Sequence, residues 1–182
     1  YSSNVLPELV LKNVRGYLLR ETKNKIPIIS VTQKPVDLGE NTCVGGIGKS
    51  YYNCYKQIYI GVQKVKTKYV AMTEDDTLYS MEHFSHRPTN DNVFAYNSNM
   101  WFLEDDKFWH KFSTGMFGCI APTELLLSTL EERFKKFPTQ ESAVKLHKHL
   151  WQEPGRDQLL EFKQREIEHF RTEIPLITLN YY

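Results

Sequence analysis

The sequence predicts one α/β domain with a mostly parallel central sheet flanked by helices. Segments with an apolar period of about 3.6 residues alternate with short runs rich in Val, Ile and Tyr, the pattern of helices layered on a sheet. The 182 residues suffice for one hydrophobic core and fall short of two comfortable domains. The composition, 41% hydrophobic and 25% charged, is that of a globular chain and excludes long disorder.

Residues 1–4 read as a polar turn, with Asn4 placed to cap the following helix. That helix carries Leu6, Leu9, Val10, Val14, Tyr17 and Leu18 on one face and Lys12, Arg15, Arg20 and Lys23 on the other. Residues 25–32 centre on Ile26, Ile28, Ile29 and Val31 and read as a parallel core strand, with Pro27 near its start. Residues 35–50 form a glycine-bearing loop that ends in Gly48-Lys49-Ser50. Cys43 stands where a nucleotide-triphosphatase loop has its first glycine, so that pattern fails. Backbone amides and Lys49 at a helix N-terminus remain suited to a diphosphate.

The next helix spans about residues 50–66, with Tyr51, Tyr55, Ile58, Val62 and Val65 as its buried stripe. A strand at 68–73 and a short helical piece through Phe84 follow. His83 and His86 lack the further ligands of a zinc site and read as exposed. Residues 93–98 and 99–103 are strand material around a turn at Asn97-Ser98-Asn99. Glu104-Asp105-Asp106 reads as an exposed hairpin turn. Residues 115–121 form a core strand, and Pro122 opens a helix with Leu125, Leu126, Leu130 and Phe134 facing inward. A helix near 139–151, a last helix near 157–170 and a strand at 174–179 complete the order.

The stretch with most chemistry is Lys68-Tyr69-Val70-Ala71-Met72-Thr73-Glu74-Asp75-Asp76, an apolar strand that ends in consecutive carboxylates. Like charges side by side repel, and hard oxygen ligands suit a divalent cation such as manganese or magnesium. In a parallel sheet, ligands gather at the carboxyl ends of the strands. That rule puts residues 1–4, 32–34 and 74–76 on one rim, an arrangement suited to a nucleoside diphosphate. The Glu104 tip is the rival, without that setting.

Net charge is only +1, so no global field marks a nucleic-acid or membrane partner. Two basic clusters (Lys12, Arg15, Arg20, Lys23, Lys25; Arg133, Lys135, Lys136, Lys145, Lys148) read first as solvated faces and second as a track for DNA. No apolar run is long enough to span a membrane. Cys43, Cys54 and Cys119 form no CxxC pair, which points to free or buried thiols in a reducing compartment, the cytoplasm. The chain opens without an initiator Met, so an element trimmed from the front, a central strand, is one expectation.

The run Gly48-Lys49-Ser50 through Asn53, then Gly61-Val62 and Lys64, then residues 68–76 and Tyr79-Ser80-Met81-Glu82, resembles the small GT-A (Rossmann-like) glycosyltransferases akin to family 2. It looks particularly like the short glycosyltransferase-like proteins of tailed bacteriophages. The likeness covers residues 26–136. Glu74 stands where the family's DxD motif has its first Asp.

The resemblance implies sugar transfer from a nucleotide-sugar donor, UDP-sugar first, to an acceptor hydroxyl. Manganese or magnesium would be held by Glu74 and Asp76. Tyr1, Ser3 and Gln33 would flank the base and ribose, Lys49 the phosphates, and Asp75 the ribose or the metal shell. For an inverting reaction, Glu153 and Asp157 are the candidate bases at the start of a late helix. Asp157 serves equally as a helix cap. The acceptor is a hydroxymethylated base in phage DNA, a glycan or a protein. Two other readings stand beside this: a catalytically silent nucleotide- or carbohydrate-binding module of the same fold, and a cation-dependent nucleotidyltransferase.

Overall fold

A computed structural model describes residues 1–4, 6–23, 25–144, 153–154 and 162–179. Helices and strands alternate over most of the chain, which makes the fold α/β. In order they are α1 (Glu8–Thr22), β1 (Ile29–Thr32), β2 (Glu40–Cys43), α2 (Tyr51–Val62), β3 (Tyr69–Ala71), β4 (Thr77–Leu78) and α3 (Met81–Ser85). There follow β5 (Val93–Asn97), β6 (Met100–Glu104), β7 (Lys107–His110), β8 (Cys119–Pro122), α4 (Thr123–Lys136), α5 (Gln140–Val144), β9 (Glu166–Phe170) and β10 (Leu176–Leu179).

The mostly parallel central sheet is not what forms. The strands make three groups, ordered β1-β2, β4-β10-β6-β7 and β3-β8-β5-β9, and both larger sheets are mixed. β1 and β2 are parallel, as are β5 with β9 and β6 with β10. β3 and β5 both lie antiparallel to β8, as do β4 to β10 and β6 to β7. Short apolar runs reveal burial but not direction; direction is set by the connections. Here one crossover decides much of it. Asn97-Ser98-Asn99 does not fold β5 back on β6 but hands the chain from one sheet to the other. The crossover is knit to the segment after β9: Asn97 Nδ2 donates to Thr172 Oγ1 at 2.8 Å and Asn99 Nδ2 to the Thr172 carbonyl at 2.9 Å.

The main core lies between α2, α4 and the β3-β8-β5-β9 sheet, with Tyr55, Ile58, Val62, Phe94, Tyr96, Leu126 and Leu130 buried. Burying each such side chain contributes about 1.5–3 kcal/mol. α1 buries Leu11, Val14 and Leu18, whereas Leu9 is exposed. α2 begins at Ser50, whose hydroxyl accepts from the Asn53 amide, a regular N-cap. Tyr51, expected in the buried stripe, points to solvent.

Further expectations change. Asn4 does not cap α1, whose N-cap is Pro7; it is buried and bonded to the turn after β1. The loop 35–50 contains a strand, β2, because Asn41 satisfies Ser30 and Thr32 across the pair. The expected last helix is contradicted at its end, where residues 166–170 pair along the whole of β5. His83 is buried among Tyr79, Phe84 and Phe170, and loss of hydration pushes its imidazole down to about 3.

Arg133, assigned to a solvated basic face, is buried against the rings of Tyr55 and Phe162. The stripe it joins on α4 places it one turn beyond Thr129 and Leu130. Among the described residues no helix is long and apolar enough to cross a membrane. All three cysteines are free thiols, Cys43 exposed and Cys119 buried.

Candidate functional site

β3 delivers the chain into Glu74-Asp75-Asp76, and each carboxylate is half-buried. The first residues of the chain meet them directly. The Tyr1 hydroxyl donates to Glu74 Oε1, and the Ser2 hydroxyl donates to Asp75 Oδ2. The Tyr1 backbone nitrogen donates to the Thr73 carbonyl at 3.0 Å, and Ser2 forms a parallel bridge with Thr32. Asn4 Oδ1 accepts from the amides of Gln33 and Lys34 at 2.8 and 3.0 Å. The three segments expected on one rim, 1–4, 32–34 and 74–76, therefore do meet.

The tip is braced from below. Tyr79, 1% exposed, accepts the Glu74 amide on its hydroxyl at 3.0 Å. The Asp76 carboxylate accepts the Thr77 hydroxyl at 3.0 Å, and the Asp76 carbonyl accepts the Leu179 amide at 2.7 Å. Thr77 and Thr178 share a hydrogen bond of 3.0 Å between their hydroxyls. The last strand thus fixes the backbone of the candidate ligand, a role sequence spacing did not reveal.

Burial and the nearby charge of Asp76 hold the Glu74 carboxyl above its usual range, against the pull of the Tyr1 hydroxyl and Lys111. Burial and the charge of Asp75 do the same for Asp76, opposed by Thr77 and Lys49. Burial also pushes the Tyr1 phenol well up, so it stays a hydrogen-bond donor. Two crowded carboxylates that resist ionising are a donor set for which a divalent cation would relieve the repulsion. Among the described residues no three His, Cys, Asp or Glu side chains converge as a preformed cation cluster. The set present fits an ion held by one or two carboxylates and completed by phosphate and water, the usual habit of magnesium.

Lys49 is exposed on the loop ahead of α2 and its charge reaches Asp76. The loop is positioned by Gln33: its Nε2 donates to the Gly48 carbonyl at 2.9 Å, and the Gly48 amide donates to its Oε1 at 3.1 Å. Asn53 Nδ2 adds bonds to the carbonyls of Ile47 and Gly48. Gly48 has φ +83°, a left-handed conformation that favours glycine. Gln33 is thus engaged with the loop that carries Lys49.

Ser3 is half-buried between the residues that make the contacts; its neighbour Ser2 touches the acidic tip. Glu153 is half-buried near Tyr55, Tyr96 and Cys119, and its charge also reaches Cys54, the thiol beside Tyr1 and Glu74. The next residue is docked by Tyr96, whose hydroxyl donates to the Pro154 carbonyl at 3.0 Å. Asp157 lies outside the described residues, as do Lys145 and Lys148. Lys111, overlooked in the sequence, follows the β6–β7 hairpin; its ammonium lies 4.6 Å from the Phe117 ring centre and its charge reaches Glu74.

The rival acidic tip is the turn of that hairpin. Glu104 pairs with Lys107, Asp105 takes φ +53°, and Asp105 and Asp106 are exposed. It lacks the converging segments of the Glu74 tip. Compared with known proteins, the chain matches no protein-family model, no curated protein and no solved structure.

Proposed function

We propose that the chain is a metal-dependent glycosyltransferase of the GT-A type, moving a sugar from a nucleoside-diphosphate sugar to an acceptor hydroxyl. The observation that carries this reading is the meeting of residues 1–4, the turn after β1 and the acidic end of β3, with Lys49 within reach of Asp76. Leaving of a nucleoside diphosphate builds negative charge on its phosphates, and a divalent cation there stabilises that charge. Asp76 and Glu74 would hold the ion, with Asp75 kept in place by Ser2. Lys49 would meet a phosphate oxygen, and the Tyr1 ring stands beside Glu74 where a base or ribose would lie. Glu153 is the candidate base among the described residues.

The donor is a UDP-sugar in the first instance, and the first acceptor to try is hydroxymethylated DNA, with glycan and protein hydroxyls beside it. The test is a panel of nucleotide sugars with manganese, with and without each acceptor. Release of nucleoside diphosphate and a glycosylated acceptor is expected. Release of pyrophosphate identifies a nucleotidyltransferase, and metal-independent binding without turnover identifies a silent binding module. Either overturns the reading.

Gln33→Ala removes two hydrogen bonds that hold Gly48. At about 0.7 kcal/mol per exposed bond, the loop's loss of order should weaken binding of a manganese–nucleoside diphosphate complex roughly tenfold. Fold stability should change little, because both bonds are solvent-exposed. Calorimetric titration and a thermal melt check the pair; unchanged affinity would separate Gln33 from the site.

A further inference from the structure

A cavity of about 750 Å³ is lined by Ile29 and Val31 of β1, by Tyr69 and Ala71 of β3 with the adjoining Thr73, and by Ile58 of α2. β1 and β3 are both edge strands, each paired within its sheet on one side. The carbonyls of Ile28 and Thr32 are taken by the amides of Glu40 and Val44, toward β2. Backbone groups alternate sides along a strand, so those of Ile29 and Val31 point away from β2. On β3, the Lys68 carbonyl and the Met72 amide are taken by β8 and its margin, which turns the groups of Tyr69, Ala71 and Thr73 away from β8.

Two rows of peptide groups thus border one apolar space, and Tyr1-Ser2 already reaches both. The Tyr1 backbone nitrogen donates to the Thr73 carbonyl at 3.0 Å, and the Ser2 amide donates to the Val31 carbonyl at 3.1 Å. Successive backbone nitrogens turned to opposite neighbours are the pattern of a strand paired on both sides. Its direction is given by the parallel bridge between Ser2 and Thr32.

We propose that this slot seats one further strand, an extended apolar segment that runs into Tyr1 from its amino side and pairs with β1 and β3 at once. The edges are three to four residues long, so about four residues fill them, roughly 13 Å at 3.3 Å each. The occupant is apolar because Ile58, Val62 and Leu126 line the space. It is polypeptide because an extended peptide presents N–H and C=O groups alternately to both edges at the strand's own spacing. Seating it joins the β1–β2 pair to the β3-β8-β5-β9 sheet and holds residues 1–4 against the acidic tip. The inference stands on the slot alone and survives failure of the glycosyltransferase reading.

The test compares the chain as it stands with two forms extended ahead of Tyr1, by Ile-Val-Ile-Val or by Gly-Ser-Gly-Ser. The apolar extension is expected to raise Tm by about 5–10 °C. It should also slow amide exchange at Ile29, Tyr69 and Ala71 at least a hundredfold, and the Gly-Ser extension should do neither. Equal effects of the two extensions overturn the proposal. So does lauric acid, or a free Ile-Val-Ile-Val peptide, that stabilises the unextended chain as much as the attached segment does. In the chain as it stands, the amides of Tyr69 and Ala71 should exchange at least a hundredfold faster than that of Met72, which bonds to Cys119; equal protection also overturns it.

Discussion

Asp76→Asn is expected to abolish manganese-dependent binding of a nucleoside diphosphate, raising Kd at least a hundredfold, about 2.7 kcal/mol. The substitution keeps the shape of the side chain and removes its charge. Of the acidic run, Glu74 is taken up by the Tyr1 hydroxyl and Asp75 by the Ser2 hydroxyl. The Asp76 carboxylate takes its hydrogen bonds locally, from the adjacent Thr77 hydroxyl and its own backbone, which makes it the readiest of the three to take an ion. Its stability signature has the opposite sign. Burial and the charge of Asp75 disfavour the ionised Asp76 carboxyl, so Asn relieves repulsion and leaves the metal-free Tm unchanged or higher. Binding lost with Tm retained is therefore the expected pair. Affinity within threefold of the parent would remove Asp76 from the site.

The second large effect is on pH. Glu74 and Asp76 are both raised above their ordinary values, first by burial, and then Glu74 by the charge of Asp76 and Asp76 by the charge of Asp75. A raised carboxyl holds its proton more tightly in the folded chain than in the unfolded one. The unfolded chain loses its protons first, from about pH 4, and stability then falls as pH rises through the higher folded values. A tenfold difference in proton affinity between the two states is worth about 1.4 kcal/mol, so the metal-free chain should lose on the order of 2 kcal/mol between about pH 4.5 and 7.5. For a chain of this size that is about 4–8 °C in Tm. Manganese at millimolar concentration should restore most of the loss at the upper pH, since it binds the ionised pair and stabilises the folded form by mass action. Glu74→Gln should flatten the slope. A Tm that rises between these pH values without metal would contradict the crowded-carboxylate description.

Much of the site was legible because it rests on local chemistry. An apolar strand running into three carboxylates, and a loop closing in Gly48-Lys49-Ser50, are visible from residue types and spacing alone. The hairpin turn at Glu104-Asp105-Asp106 was equally readable, and β6 and β7 pair across it. Long-range partners were not. That Ser2 meets Asp75, or that Leu179 holds the Asp76 carbonyl, depends on which face of an irregular segment turns inward.

Strand direction was hidden for a related reason. A run such as Cys119–Pro122 is buried whichever way it runs, and its antiparallel pairing with β3 and β5 comes from the path between them. Residues 166–170 read Glu, Ile, Glu, His, Phe, with the two apolar residues three apart as in a helix, and only the pairing with β5 reveals the strand. Arg133 and His83 show the limit of residue type as a guide to exposure. Each is buried because aromatic rings surround it, and an isolated sequence does not display that company.

The central claim is that the ion and the nucleotide sit at the Glu74 tip. Manganese is paramagnetic, so its position can be read from the amide signals it broadens. With a nucleoside diphosphate present, broadening is expected at Ser2, Lys49 and residues 73–77, with Asp105, Asp106 and Lys107 left sharp. Broadening centred on the hairpin turn, or spread evenly over the acidic surface, would contradict it.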